Sequence, residues 1–168
     1  KQSSPLCVLA RQRGFEGDNR VTIARLLIAH GADINHVNPA SGDTPLLALM
    51  EAQNISDTMR LFIEAGADIH AMDSSGETVL MRAIRKATVH EVVNLIDAGV
   101  NVNQRHGADG KTALMLAVDG GDVEEAQELI KAGANVRLLD VNGASALALA
   151  RQSPKNAVKM VPLLEDAL

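Results

Sequence analysis

The chain contains no tryptophan and no tyrosine, and only two phenylalanines, Phe15 and Phe62. A single deep core filled by large aromatic rings is therefore excluded. So are the stacking platforms on which single-stranded nucleic acid is held. One cysteine, Cys7, makes neither an internal disulfide nor a zinc site by itself, and it fits a reducing compartment. There is no excess of positive charge: 16 Lys and Arg stand against 21 Asp and Glu, a net charge of −5. A generic polyanion binder needs clustered cations, so nucleic acid is not an expected partner. No apolar run approaches the length of a membrane span, and no secretory leader pattern is visible. The first residue is Lys1 rather than Met, which reads as a cut or processed end. The expected compartment is the cytoplasm, or the bacterial periplasm if Lys1 is a processed end.

What the chain does contain is 168 residues, 46% hydrophobic and 22% charged, a globular composition. Two short words recur along it. The first is Ser4-Pro5-Leu6-Cys7, Thr44-Pro45-Leu46-Leu47, Thr78-Val79-Leu80-Met81, Thr112-Ala113-Leu114-Met115 and Ser145-Ala146-Leu147-Ala148. Its last four copies, starting at Thr44, Thr78, Thr112 and Ser145, keep a nearly constant period. The second is Gly31-Ala32-Asp33, Gly66-Ala67-Asp68, Gly99-Val100-Asn101 and Gly133-Ala134-Asn135, and it keeps the same period. Two words on one period signal a repeat architecture.

These words resemble the ankyrin repeat family, in which Thr-Pro-Leu-His-x-Ala opens an inner helix and Gly-Ala-Asp-x-Asn follows an outer one. Thr44-Pro45-Leu46 and Gly31-Ala32-Asp33-Ile34-Asn35 match almost literally. The resemblance covers the whole chain as about five repeats, at roughly 1–38, 39–72, 73–106, 107–139 and 140–168. It implies one ankyrin-repeat domain over residues 1–168 that binds protein through a concave face. One departure is systematic. The motif histidine is replaced by Cys7, Leu47, Met81, Met115 and Ala148. Its hydrogen bonds to the loops are expected to be missing, with apolar packing carrying the position.

The residues support the same architecture on their own. Thr or Ser ahead of each apolar run is an N-cap, and Pro5 and Pro45 suit the first helical position. Val89, Val92, Val93 and Ile96, then Val123, Ala126, Leu129 and Ile130, have helical spacing. Glycine closes each of these segments, where a left-handed C-cap costs it least. Polar turns such as Asp73-Ser74-Ser75-Gly76 then read as projecting fingers. No short helix pair buries its apolar face alone, so neighbours must stack. The expected fold is an all-α solenoid of helix pairs with hairpin-like finger loops.

The irregularities are informative too. The fingers run from closing glycine to next cap: Gly31 to Thr44, Gly66 to Thr78, Gly99 to Thr112 and Gly133 to Ser145. The first and third are each one position longer than the other two. The first repeat is also long from cap to glycine, Ser4 to Gly31, compared with Thr44 to Gly66, Thr78 to Gly99 and Thr112 to Gly133. The excess reads as an insertion around Arg11 to Asn19, and it contains Phe15. Two motifs mislead. Gly107-Ala108-Asp109-Gly110-Lys111-Thr112 lacks the first glycine and the preceding strand of a phosphate loop. His90-Glu91 lacks the second histidine of a zinc helix, which is Asn94. No nucleophile, base and orienting group can be assembled, so no enzyme, no cofactor and no metal are expected.

The expected function is therefore a non-catalytic protein–protein interaction module, monomeric on its own. Its partner-binding residues are read as Met72, Ser74, Glu77, Arg85, Lys86, Arg105 and His106, extended by Leu138 and Leu139. Arg82, Arg85 and Lys86 would present positive charge to an acidic protein surface. The acidic run Asp119, Asp122, Glu124, Glu125 and Glu128 is expected on the outer, solvated side. A sharper version is a stoichiometric inhibitor or immunity protein capping an enzyme, with Phe15 as a plug. The alternative is a passive scaffold segment of a larger multidomain protein.

Overall fold

The structure is a computed structural model that describes residues 4–12, 17–86 and 88–168. Among them run α1 (Pro5–Arg11), α2 (Gly17–Ala29), α3 (Pro45–Leu49), α4 (Ser56–Glu64), α5 (Val79–Lys86), α6 (Val89–Asp97), α7 (Ala113–Gly120), α8 (Val123–Lys131), α9 (Ala146–Gln152) and α10 (Pro154–Asp166). The only extended pairing among the described residues is two isolated bridges, Met72 with Thr78 and Leu139 with Ser145. The all-α expectation holds. The chain gathers into two compact units, Lys1–Arg82 and Ala83–Leu168, divided within α5.

Local chemistry starts each inner helix as the sequence indicates. The hydroxyls of Thr44, Thr78, Thr112 and Ser145 accept from the amides of Leu47, Met81, Met115 and Ala148 at 3.2–3.3 Å. Ser4 differs and makes no cap bond. Its φ of −56° and ψ of 142° depart from the shared geometry near −84° to −94° and 166–167°. At the other end, Gly66 takes φ +86°, which lets Ala67 N–H return to Phe62 O at 2.9 Å. That bond satisfies a carbonyl that the helix itself leaves open.

In the first unit α1 packs on α3 and α2 on α4. Ala10, Ala24 and Ala48 are fully buried there, alongside Leu46, Leu47, Met59 and Phe62. In the second unit α7 packs on α8 and α9, α6 on α8, and α9 on α10. Ala117, Ala126 and Ala150 are its fully buried small residues, beside Leu95, Leu129, Met160 and Leu164. Small residues allow the close approach that a core almost without rings requires. Each fully buried leucine contributes about 1.5–3 kcal/mol. The position of the missing histidine is filled as expected, with Cys7, Leu47, Met81 and Met115 all buried and Ala148 half-buried.

The fingers show where the extra residue goes. In the long ones, Asn38 N–H donates to Asp43 O and His106 N–H to Lys111 O, each at 2.8 Å. In the short ones, Asp73 N–H donates to Glu77 O at 3.0 Å and Asp140 N–H to Ala144 O at 2.9 Å. The turn itself therefore absorbs the insertion, and the finger base is unchanged. Long and short fingers are then tied in pairs. Ser74 N–H and Oγ donate to Ser41 O, while Val141 N–H donates to Asp109 O at 2.9 Å. Gly42 sits at the first of these contacts with φ +74°, and a Cβ there would collide with the Ser74 amide. Below the fingers, Asn35 bridges Gly66 O and Asp68 N–H, and Asn103 bridges Gly133 O and Asn135 N–H.

Two buried arginines complete the first unit. Arg20, 1% exposed, donates to the carbonyls of Gln12, Gln53 and Asn54. It thereby ties the end of α1 and the α3–α4 loop to the start of α2. Arg82 is not a groove cation but a core one, 7% exposed. It donates to Asp43 at 2.9 Å, Asp73 at 2.5 Å, Glu77 at 3.3 Å and Leu47 O at 3.1 Å. The reason is its place one turn into the inner helix, facing the carboxylates of two fingers.

Burial alone would raise the Asp73 carboxyl. Hydrogen bonds from Ser75 and Glu77, together with the Arg82 charge, reverse this and lower it. A carboxyl lowered in the folded state stabilises fully above its ordinary pKa of about 3.9 and loses that contribution as pH falls through the lowered value. Arg82→Met should cost about 3–5 kcal/mol in urea unfolding at pH 7, because Asp73 loses its counter-charge and Asp43 is left with the half-exposed Arg11 alone. The same variant should show a shallower loss of stability below pH 4. In hydrogen exchange, α10 amides around Pro162 should exchange faster than those of α7. Pro162 removes one bond of the α10 ladder on the side where Val158 is 81% exposed.

Candidate functional site

In the second unit the last turn of α5, the base of the third finger, α7 and the α7–α8 turn enclose an open groove of about 610 Å³. Arg85 and Lys86 line it from α5, and both are exposed. Asp119, Asp122 and Glu125 line it from α7 and the turn into α8, with Ile84 and Leu116 as apolar lining. Lys111 donates to Asp119 at 2.5 Å within it. The acidic run is therefore not wholly on the outer side. Asp122 and Glu125 reach the groove because α7 ends at Gly121, φ +83°, and the chain turns back over α7. Glu128 instead pairs with Lys131 at 2.6 Å, and Glu124 is exposed on α8.

The fingers of this unit hold a second surface. Arg105 donates to Gly110 O at 3.1 Å and to Leu139 O at 2.7 Å, joining the third finger to the fourth. Around it Leu139 is 49% exposed and Val141 63%, while Leu138 is half-buried. His106 Nδ1 lies 2.8 Å from Asp109, whose carboxylate also accepts Lys111 N–H at 3.0 Å. Burial opposes ionisation of Asp109. The Lys111 amide and His106 outweigh it, so this carboxyl sits below its ordinary value.

The sequence-predicted residues thus divide. Of the described ones, Met72, Ser74 and Glu77 belong to the first unit, and Arg85, Lys86, Arg105, His106, Leu138 and Leu139 to the second. Met72 is 48% exposed on its finger. Ser74 is spent on the neighbouring finger through Ser41 O, and Glu77 accepts from Arg82. Arg85 and Lys86 meet in the groove. Arg105 and His106 are hydrogen-bonded parts of their finger. Phe15 lies outside the described residues. The groove carboxylates Asp119, Asp122 and Glu125 were missed as site residues. The signal that could have found them is the glycine pair Gly120-Gly121, which forces a tight return at the end of α7.

Among the described residues, no group of three or more His, Cys, Asp or Glu side chains is placed to hold a metal ion. No described helix is long and apolar enough to cross a membrane. The family profile for ankyrin repeats (3 copies) matches residues 10–106 and 87–167. The chain belongs to the ankyrin repeat family. Such repeats are protein–protein interaction modules and are generally non-catalytic.

Similar ankyrin repeat proteins include an ankyrin repeat and KH domain-containing protein of Caenorhabditis briggsae, 38% identical over 63 residues. Those residues are 38% of this chain and 2% of that protein. A putative ankyrin repeat protein of Acanthamoeba polyphaga mimivirus is 30% identical over 87 residues, 50% of this chain and 54% of its own length. Ankyrin repeat and SOCS box protein 6 of Mus musculus is 33% identical over 81 residues, 46% of this chain and 19% of its own. The chain thus spans no more than about half the length of these relatives.

Arg105→Ala removes one hydrogen bond within the third finger and one that joins it to the fourth. It should raise hydrogen exchange at the third and fourth fingers several-fold and cost about 1–3 kcal/mol in unfolding, since two carbonyls lose a charged donor. The helices of the first unit should exchange unchanged.

Proposed function

We propose that this ankyrin-repeat chain is a non-catalytic binding module whose partner lies in the groove beside Arg85 and Lys86. The observation that carries the proposal is the groove itself, which places cations on α5 opposite the carboxylates of Asp122 and Glu125. A partner segment fits it best when an acidic side chain meets Arg85 and Lys86 and a basic one meets Asp122 and Glu125. Complementary charge of this kind speeds encounter and fixes register more than it adds raw affinity. Exposed Leu139 and Val141 supply apolar area on the adjoining fingers, where the desolvated part of a contact would form. Within this reading, a stoichiometric inhibitor is one form the partner relation can take. The passive-scaffold alternative leaves the groove idle.

The test uses the chain as bait against extract of its native source, with Arg85→Glu plus Lys86→Glu as one variant. A second variant, Glu124→Lys on α8, is the control. Both sites are exposed, so the helical fold should persist in each. The groove variant should lose the one-to-one partner about tenfold or more in affinity, with slower association at low salt. The control should bind within about twofold of the parent, as isolated surface charges contribute little. Loss of binding in the control alone would place the site on the outer helices instead.

A further inference from the structure

We propose that the face of α1 and α2 turned away from α3 and α4 is a docking surface for one more helix pair of the same repeat type, joined directly ahead of Ser4. Four residues after the caps Ser4, Thr44 and Thr78 stand Val8, Ala48 and Arg82. In the second and third repeats this position faces the repeat before it. Ala48 lies on α3, which α1 covers, and Arg82 reaches back to Leu47 O and Asp43. Their exposures are 0% and 7%, whereas Val8 is 49% exposed.

The outer helix gives the same result independently. Five residues before the closing glycines stand Leu26 and Leu61, 56% and 9% exposed. Four before them stand Leu27, half-buried, and Phe62, at 0%. Eight before them stand Ile23, half-buried, and Thr58, at 1%. In the second repeat α2 is what covers α4. Among the described residues, no element plays that part for α2. This face continues an interface that already exists one repeat further on, and its occupant is the element that makes that interface.

The chemistry of the face is also wrong for an end. A terminal repeat that meets water carries a polar outer face. Here the exposed apolar positions are Val8 and Leu26, flanked by half-buried Ile23 and Leu27, while Val21 lines a groove shared with α4. The last repeat is built differently. Arg151 pairs with Glu165 at 2.6 Å across α9 and α10, and Lys159 and Asp166 are exposed on α10 together with Val158.

Two measurements test the proposal. The coding sequence upstream of Lys1 should continue in frame through an apolar helix pair. It should end on a closing glycine as far ahead of Ser4 as Gly31 stands ahead of Thr44 or Gly66 ahead of Thr78. A start codon immediately ahead of Lys1 would overturn it. In the second measurement, a consensus ankyrin helix pair is fused in register ahead of Ser4 of the full chain. It should slow hydrogen exchange in α1 and α2 by about tenfold or more. Val8→Asp with Leu26→Asp should leave the unfused chain within about twofold in the same measurement, because both sites are solvated, yet abolish the gain in the fusion. No gain on fusion would sink the idea. So would a concentration-dependent dimer of the unfused chain that the two aspartates dissociate, since a second copy would then be the occupant.

Discussion

The first unit depends on one guanidinium. Arg82 is the cation at the meeting point of Asp43, Asp73 and Glu77, and it also holds the Leu47 carbonyl. Taking an arginine out of water is costly, and the interaction repays it only when the donors are used. Here its bonds engage the end of the first finger, both ends of the second and the inner helix α3. Its one positive charge faces three negative ones, so the carboxylates need further donors. Asp73 finds them in the amides of Ser75 and Glu77, and Asp43 in Ser41 Oγ and Arg11. The finger turns and the buried charge cluster are consequently one structure.

Among its described residues, the second unit solves the same problem without a buried arginine cluster. Arg105 joins its two fingers through backbone carbonyls, and Asp109 organises the turn with His106 and Lys111. Because these groups are spent within the fingers, the charge on which the proposed site rests lies elsewhere. It lies in the groove, where α5 ends in Arg85 and Lys86 and the glycine turn after α7 brings back Asp122 and Glu125. Loop anchorage and the proposed recognition thus fall to different arginines. Their sequence neighbourhoods do not distinguish them.

That division marks the limit of what residue order conveys. Arg82 and Arg85 lie on one helix, three residues apart, and both look like surface cations in the sequence. Only the position of finger carboxylates from 9 and 39 residues earlier makes the first a core residue. The same holds for Arg20, whose acceptors come from the end of α1 and from the loop before α4. Its neighbours in sequence, Asn19 and Val21, give no hint of burial.

The repeat words, the N-caps, the closing glycines and the shortage of rings determined by themselves that this chain forms stacked helix pairs. Each of those signals acts within a few residues, through a hydroxyl meeting an amide or a glycine taking a positive φ. The alternating finger lengths were legible for the same reason. The tertiary structure alone decided which charges are buried, which fingers join, and that Asp119, Asp122 and Glu125 share a groove with Arg85 and Lys86. Those outcomes depend on groups brought together from different repeats. A side chain's surroundings there are set by how helices stack, which local spacing does not encode.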